Sequence, residues 1–326
     1  MDELSLVTGG AGFIGSHLTE ELIRSGRRVR VLDDFSTGLR SNLSHLDPPP
    51  ELIEGSLTEP DVVRQAMHGV GVLYHLGALA SVARSVENPV ATHAACVTGT
   101  LNLLDAARSS GVRRVVYAAS SSAYGGQIGD QFGQSEELPL VARSPYAAAK
   151  LAGEFYMQAF AHTYGIETVR LRFFNIFGPR QRADSPYSGV IALFIAGMCQ
   201  GQPPQIHGDG LQSRDFTYVA NAVQALRRAA EASDVSGQVY NVGTGQSVTV
   251  LDLVSALNRI LGTNLEPIFK PARVGDVRFS LADIRRTRRD LGYEPSISFI
   301  EGLRMTVEWY LGSTSAARPI TNQGNQ

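Results

Sequence analysis

The sequence predicts an α/β fold, in which a doubly wound parallel sheet is followed by a smaller carboxy-terminal α/β lobe. Short apolar runs alternate with amphipathic helical patterns through the first half of the chain, as in parallel sheets covered by helices. Beyond about Gly178, glycine and proline become denser and the predicted elements become shorter, which indicates a change of architecture. The 326 residues, of which 43% are hydrophobic and 18% charged, are enough to bury a large core.

Each predicted strand is a short apolar run that ends at turn residues. The predicted strands are 4–8, 28–33, 70–76, 114–119 and 167–173, and the predicted helices are 12–25, 89–109 and 145–164. Strands that alternate with helices in this way favour parallel pairing with crossover helices.

Three segments follow from this pattern. Residues 1–178 are expected to form the sheet domain, with return segments from later in the chain, and residues 313–326 a polar tail. Residues 179–312 are expected to fold as a lobe over the carboxyl ends of the strands, where open α/β sheets bind ligands.

Composition excludes several classes of protein. The net charge of -2 and the absence of a lysine/arginine block argue against nucleic-acid binding. No apolar run approaches transmembrane length, and the first strand leaves no room for a signal peptide, so no membrane association and a cytoplasmic location are expected. Cys96 and Cys199 form no CxxC pair and no ligand spacing with histidine, so neither a disulfide nor a metal site is expected.

A glycine-rich loop joins the first strand to the first helix. Gly9, Gly12 and Gly15 allow a tight turn, close approach of a pyrophosphate and close packing of helix on strand, as in Rossmann-type dinucleotide sites. Asp33 ends the next strand, at about the expected 20 residues or slightly more. Its carboxylate can accept hydrogen bonds from both ribose hydroxyls and would repel a 2′-phosphate, which predicts NAD and not NADP.

Candidate catalytic residues lie on one helix and one strand end. The spacing of Tyr146 and Lys150 puts the phenol and the ammonium on the same helix face. A neighbouring positive charge favours the phenolate and so lowers the pKa of the tyrosine. The strand at 114–119 delivers Ser120-Ser121-Ser122 at its carboxyl end, where a serine hydroxyl can bond a substrate hydroxyl.

With further ordered motifs, these features resemble the extended short-chain dehydrogenase/reductase family from about Leu4 to about Tyr310. The motifs are His75-Leu76-Gly77-Ala78, Gly99-Thr100-Leu101-Asn102, Leu171-Arg172-Phe173-Phe174-Asn175-Ile176-Phe177-Gly178-Pro179 and Gly208-Asp209-Gly210-Leu211-Gln212-Ser213-Arg214-Asp215-Phe216. The resemblance implies a catalytic triad of Ser120, Tyr146 and Lys150, and a homodimer paired through helices near 89–109 and 145–164.

The resemblance also implies the residues that contact each ligand. Those implied for NAD are Gly9, Gly12, Phe13, Ile14, Gly15, Asp33, Ser36, Thr37, Gly38, Ser56, Leu57, Leu76, Ala78, Tyr146 and Lys150. Those implied for a UDP-sugar substrate are Ser81, Ser85, Ser121, Ser122, Asn175, Val190, His207, Arg214, Arg273, Asp276 and Ser280. Arg214 and Arg273 match positions that clamp the diphosphate, which suits the planar, permanently charged guanidinium.

Two positions bear on the reaction. Dehydratases and decarboxylases of this family place an acidic residue where this chain has Ser122, so the resemblance favours a 4-epimerase of UDP-hexoses. Ser280 stands where epimerases restricted to non-acetylated hexoses carry a tyrosine, which favours an N-acetylated UDP-hexose, alone or alongside plain ones. The alternatives are a UDP-glucuronate-type epimerase or decarboxylase, and a non-catalytic NAD-binding regulator. The regulator is disfavoured because Tyr146 and Lys150 are both present.

Overall fold

The computed structural model of the protein describes residues 3–126, 132–183, 188–272 and 277–316. In these ranges the strands are β1 Leu4–Thr8, β2 Val29–Asp33, β3 Glu51–Glu54, β4 Val70–His75, β5 Arg114–Ser120, β6 Glu167–Phe173, β7 Asn175–Phe177, β8 Gln205–His207, β9 Ser213–Arg214, β10 Phe216–Tyr218, β11 Gln238–Val242, β12 Val248–Thr249, β13 Ile268–Lys270 and β14 Phe279–Ser280. The helices are α1 Phe13–Arg24, α2 Pro60–Met67, α3 Val82–Glu87, α4 Pro89–His93, α5 Gly99–Ser110, α6 Pro145–Tyr164, α7 Val190–Met198, α8 Val219–Glu231, α9 Val250–Leu261, α10 Arg285–Leu291 and α11 Phe299–Ala316.

Seven parallel strands form the main sheet, in the order β11-β6-β5-β4-β1-β2-β3. The strand order reverses between β1 and β4, so the connections leave in opposite directions there and open a crevice at the carboxyl ends. All five residues of β1 and all five of β2 are buried, as expected for central strands covered by helices on both faces. The predicted fold class, a Rossmann-type doubly wound parallel sheet, is confirmed.

Helix α6 has strong local signals at both ends. The Ser144 hydroxyl accepts a hydrogen bond from the Ala147 amide, and Pro145 occupies the first helical position, where its missing N–H costs nothing. Gly165 ends the helix in the left-handed conformation at φ 71°. The helix therefore has the bounds that its sequence pattern predicts.

The predicted helix at 89–109 is interrupted. Asn88 caps α4 by accepting from the Ala91 amide, and a π-helical turn, Ala94–Thr98, then separates α4 from α5. A π-turn adds one residue to a helical turn and rotates the residues that follow, and such turns are frequent at functional sites. The turn buries Cys96 against α6, which carries Tyr146 and Lys150.

Among the described residues, the short strands outside the main sheet pack with α7, α9 and α11, and we call this group the second lobe. Its strands form small sheets, β10 with β7, β12 with β9 and β14, and β13 with β8. Its buried core includes Phe177, Phe194, Phe216, Leu253 and Leu303. The first turn of α1 packs on the same core, so the lobe lies against the glycine-loop end of the sheet domain.

Three features of the described chain were not predicted from the sequence. Strand β3 is an exposed edge strand, and β11 enters the main sheet beside β6 from late in the chain. Helix α11 continues to Ala316, past the expected start of the polar tail at Ser313. Among the described residues, no helix is long and apolar enough to cross a lipid bilayer.

Candidate active site

A cavity of about 720 Å³ lies at the carboxyl ends of β1, β2, β4, β5 and β6. Its wall includes most of the residues implied for NAD, namely Gly9, Gly12, Phe13, Ile14, Gly15, Asp33, Ser36, Thr37, Ser56, Leu57, Leu76, Ala78, Tyr146 and Lys150. Ser120, Ser81, Asn175 and Val190 line the same cavity. The residues implied for the dinucleotide and for catalysis thus meet in one place.

The glycine loop is packed too closely for side chains. A Cβ atom on Gly15 would lie 2.0 Å from the Gly9 carbonyl oxygen, and a Cβ on Gly9 would lie 2.9 Å from the Gly77 Cα. Gly9 also has φ 67°, in the left-handed region that favours glycine. Helix α1 begins directly after this loop, so its free amide groups face the cavity as an anion site. The loop therefore fits a dinucleotide diphosphate.

Asp33 contributes to the loop as well as to the cavity wall. Its Oδ2 accepts from the Ala11 amide and its Oδ1 from the Phe35 amide, both at 2.9 Å. Each oxygen keeps a second lone pair, so the carboxylate can still accept from ribose hydroxyls. Burial raises the pKa of Asp33, although the two amide groups oppose that shift. A Cβ on Gly38 would lie 2.9 Å from this carboxylate, which explains a glycine there.

Ser120 and Tyr146 meet at one end of the cavity. Burial raises the pKa of the Tyr146 phenol, while a hydrogen bond with Ser120 lowers it. Ser122 donates from its hydroxyl to Ser120 Oγ at 2.9 Å and from its amide at 3.2 Å, which fixes the Ser120 side chain. The Tyr146 amide donates to Ser85 Oγ at 3.1 Å, so α3 holds the start of α6.

Lys150 is fully enclosed beneath this site. Its Nζ lies 4.4 Å from the centroid of the Tyr117 ring, which suits a cation over an aromatic face. Burial lowers the pKa of Lys150, and the nearby Cys96 and Glu154 oppose that shift. Burial therefore disfavours the charged ammonium, and Cys96 and Glu154 offset only part of that cost.

A directed hydrogen-bond chain runs behind the cavity. The Gly77 amide donates to Thr8 Oγ1 at 3.2 Å, and Thr8 lies 2.8 Å from His75 Nδ1. On the other side His75 Nε2 lies 2.9 Å from Thr100 Oγ1, which donates to the Cys96 carbonyl at 2.7 Å. Because Thr100 uses its proton on that carbonyl, His75 must donate from Nε2 and accept at Nδ1. The His75 imidazole thus connects Gly77, on the cavity wall, to the π-helical turn Ala94–Thr98.

A buried ion pair ties α6 to β6. Arg172 Nε lies 2.9 Å from Glu154 Oε1 and Nη2 lies 2.8 Å from Oε2, with side-chain exposures of 3% and 2%. Arg172 Nη1 also donates to the Tyr124 hydroxyl at 3.0 Å, which donates to Asn241 Oδ1 at 2.6 Å. Tyr124 ends the turn that starts after Ser120, so this network connects that turn with α6 and β11.

A second cavity of about 500 Å³ adjoins the first in the smaller lobe. It contains His207 and Arg214, two of the residues implied for the nucleotide. Residues that line both cavities are Asn175, Ser188, Val190 and Phe216. These four side chains mark the junction of the two spaces.

Some predicted residues lie elsewhere. Gly38, Ser85, Ser121, Ser122 and Ser280 are not on either wall, and Ser280 is buried in β14, in register with Arg214 of β9. Arg273 and Asp276 lie outside the described residues. In the described parts of the chain, no group of three or more His, Cys, Asp or Glu side chains is placed to hold a metal ion.

Several polar residues of the larger cavity's wall were not predicted from the sequence. These are Asn42, Arg84, Arg180, Gln181, Arg182 and Ser188. Three of them carry buried side-chain atoms without a hydrogen-bond partner, Arg180 Nη1, Gln181 Oε1 and Ser188 Oγ. Arg180 and Gln181 directly follow the Gly178-Pro179 pair, so the motif that ends there was the available signal.

The chain is similar to one protein family and to several proteins named as 4-epimerases of UDP-sugars. The model of the NAD dependent epimerase/dehydratase family matches residues 5–243. A UDP-glucose 4-epimerase of Mycolicibacterium smegmatis is 37% identical over 94% of this chain and 98% of its own length. The UDP-glucose 4-epimerase of Thermotoga maritima, solved with UDP-glucose, superposes with a TM-score of 0.91 at 36% identity, covering 95% of this chain and 99% of that one. A UDP-N-acetylglucosamine 4-epimerase from Methanobrevibacter ruminantium, solved with UDP-N-acetylmuramic acid, gives 0.91 at 35% identity, covering 96% and 99%.

Proposed function

Because the chain belongs to the NAD-dependent epimerase/dehydratase family, we propose that it interconverts UDP-hexoses that differ in configuration at carbon 4. The observation that carries this proposal is the meeting of Ser120, Tyr146 and Lys150 at one end of a cavity that also contains the glycine loop and Asp33. The relatives named as 4-epimerases support it, since they match nearly the whole chain.

Tyr146, Ser120 and Lys150 have different roles in the proposed reaction. When bound, NAD would supply a hydride acceptor and a positive charge. Tyr146 would take the proton of the 4-hydroxyl while carbon 4 is oxidised, and return it when the 4-keto sugar is reduced from its other face. Ser120 holds the same hydroxyl, and Lys150 adds positive charge that favours the phenolate. In the protein alone, burial raises the pKa of the Tyr146 phenol, and the positive charge of bound NAD would oppose that shift.

The surroundings of Ser120 favour epimerisation over elimination. Ser122, two residues later, directs its hydroxyl to Ser120 Oγ and carries no carboxyl group that could protonate a leaving hydroxide. Epimerisation needs no such acid, because no hydroxide leaves the sugar. A dehydratase is therefore a weaker fit to this site.

For the substrate we propose an N-acetylated UDP-hexose, alone or alongside plain ones. The second cavity, with Arg214 and His207, suits the nucleotide, and its junction with the first cavity at Asn175 and Val190 suits the diphosphate-sugar. Ser280 is buried and lies on neither cavity wall, but it is in register with Arg214, which lines the second cavity. The family resemblance places a tyrosine at this position in epimerases restricted to plain hexoses. The relative named for UDP-N-acetylglucosamine supports this substrate class.

A panel of UDP-hexoses tests the reaction. We expect anomeric-proton NMR to show conversion of UDP-N-acetylglucosamine to the galacto epimer without added reductant. Tyr146→Phe keeps the ring and should lower the rate by about two orders of magnitude or more while NAD stays bound. Near-wild-type turnover in that variant, or no epimerisation of any UDP-hexose by the wild type, would refute the assignment.

A substitution at Ser280 tests the substrate class. Ser280→Tyr should abolish turnover of the acetylated sugars and spare UDP-glucose, if the wild type accepts both, because the acetamido group needs width. Ser255→Tyr, at an exposed position of α9, is the matched control. Equal loss on acetylated and plain sugars would show that Ser280 does not set this preference.

We also propose a homodimer formed through α4, α5 and α6. Val86, Val90 and Phe155 are 65%, 78% and 57% exposed, and the helices that carry them, α3, α4 and α6, pack together. A Val90→Lys/Phe155→Lys double variant should elute as a monomer in light-scattering chromatography. A wild type that is monomeric at micromolar concentration would contradict the proposal.

A further inference from the structure

Arg180 has a backbone conformation that is uncommon for its residue type. Its φ of 65° lies in the left-handed region, which costs free energy for a side chain other than glycine. It directly follows Pro179, whose carbonyl lies 2.9 Å from His17 Nε2 on α1. Arg180 lines the larger cavity, and the contact between Pro179 and His17 holds it in place. Strained residues cluster at functional sites, so this conformation suggests a role for Arg180 at the cavity.

The guanidinium of Arg180 is only partly satisfied by the protein. Its Nη2 pairs with Glu20 on α1 and lies 3.1 Å from His45 Nε2. Burial alone would raise the pKa of Glu20, but the hydrogen bond and charge of Arg180 lower it. In contrast, Arg180 Nη1 is buried and has no hydrogen-bond partner, although the side chain as a whole is 13% exposed. A buried charged donor without a partner is costly, so a ligand oxygen is the expected partner.

The anchors of Arg180 all belong to the cofactor side of the molecule. Phe13, His17 and Glu20 follow one another at i, i+4 and i+7, so they lie on one face of α1. Side chains on a helix lean toward its amino terminus, and here that terminus is the anion site beside the glycine loop. Arg180 also lines only the larger cavity and is not on the wall of the second cavity, which suits the nucleotide of the substrate.

From these contacts we propose that Arg180 binds the cofactor, donating from Nη1 to an oxygen of the NAD diphosphate. The α1 amides would contact the diphosphate from one side and the guanidinium from the other. The ion pair with Glu20 orients the guanidinium, and the bond to a phosphate satisfies its remaining buried donor. This inference depends on the cofactor of the family and not on the sugar proposed above.

Cofactor binding by variants tests the proposal directly. Arg180→Met should weaken NAD binding to cofactor-depleted protein about 10- to 100-fold in calorimetric titrations, the range for a charge-assisted hydrogen bond. ADP-ribose, which keeps the diphosphate and lacks the nicotinamide, should lose affinity by the same factor. The NAD retained per protomer after gel filtration should fall as well. Binding of UDP should be unchanged.

Two further variants separate this role from folding. Arg180→Gly suits the left-handed φ, so it should fold with a melting temperature near that of the wild type and still bind NAD weakly. Arg227→Met removes another arginine that pairs with α1, through Glu21, and lies on neither cavity wall, so NAD affinity should not change.

Three results would overturn the inference. One is wild-type affinity for NAD in both Arg180 variants. Another is weaker binding of UDP with unchanged binding of ADP-ribose, which would assign Arg180 to the substrate diphosphate. The last is an equal loss of NAD affinity in Arg227→Met, which would show that any ion pair on α1 has this effect.

Discussion

Replacing Glu154 by glutamine should destabilise the protein far more than the loss of one surface ion pair. Glutamine keeps the size of the side chain but removes its charge, and Arg172, with its side chain 3% exposed, cannot lose its proton. Burial opposes the charge of Arg172, and the hydrogen bonds and charge of Glu154 are what raise its pKa above the usual value. Breaking a buried pair by removing one partner costs about 3–5 kcal/mol, a large share of the roughly 5–15 kcal/mol that stabilises a folded domain.

Urea titrations followed by circular dichroism measure this loss in the free energy of unfolding. The double variant Glu154→Gln/Arg172→Met removes both charges and should be more stable than Glu154→Gln alone, because no uncompensated charge remains. As a control, Asp105→Asn breaks the exposed pair with Arg108 and should cost at most about 1 kcal/mol. Additive losses in the double variant, or a loss at Glu154 as small as that at Asp105, would refute the reasoning.

Three further predictions follow from the site. Asp33→Ser should weaken NAD by about tenfold or more and relax discrimination against NADP in cofactor titrations, because bonds to the ribose and to the loop amides are lost together. Unchanged NAD affinity would exclude Asp33 as the ribose contact. Gly15→Ala should yield protein without bound NAD, since its Cβ would lie 2.0 Å from a carbonyl oxygen, whereas Gly312→Ala, with open space around it, should retain NAD. Burial, and secondly the charge of Lys150, lower the pKa of His75 from 6.5 to about 3 in the folded protein. The neutral ring therefore contributes fully to the free energy of unfolding above pH 6.5, and this contribution is lost as the pH falls toward 3. Between pH 7 and pH 5 this should cost about 2 kcal/mol in urea titrations, and a His75→Asn variant with the same pH dependence would contradict it.

Much of the sheet could be predicted because its central strands are continuous apolar runs. Strand β3 was not predicted, because Glu51–Glu54 is an exposed edge strand with glutamate at both ends and so lacks the apolar run of a buried strand. The π-helical turn Ala94–Thr98 was also missed, since an added residue leaves the apolar pattern of the surrounding helix nearly unchanged. Strand β11 depends on pairing with β6 from far along the chain, which no local pattern records.

In the candidate site, too, residues set by local motifs were predicted and residues set by tertiary packing were not. The glycine loop, Asp33 and Tyr146 were predicted because each is set by a local motif, and the structure places them on one cavity wall. Arg180 was not predicted, because its position depends on a left-handed φ and on side chains from two other segments. Ser85 was expected at the substrate, but its hydroxyl accepts the Tyr146 amide, a contact that only the packing of α3 on α6 creates.

The late arrival of β11 has a consequence for the chain as it is synthesised. Strand β6 ends at Phe173 and its neighbour β11 begins at Gln238, so ~65 residues are made between them. At roughly 5–20 residues per second, the edge of β6 is open for roughly 3–13 s on the ribosome. An open edge invites pairing with other chains, and charged residues on it discourage that pairing. Arg170 and Arg172, buried beside β11 in the finished protein, lie on that temporary edge, so nascent chains would carry their own protection against aggregation until Gln238 emerges.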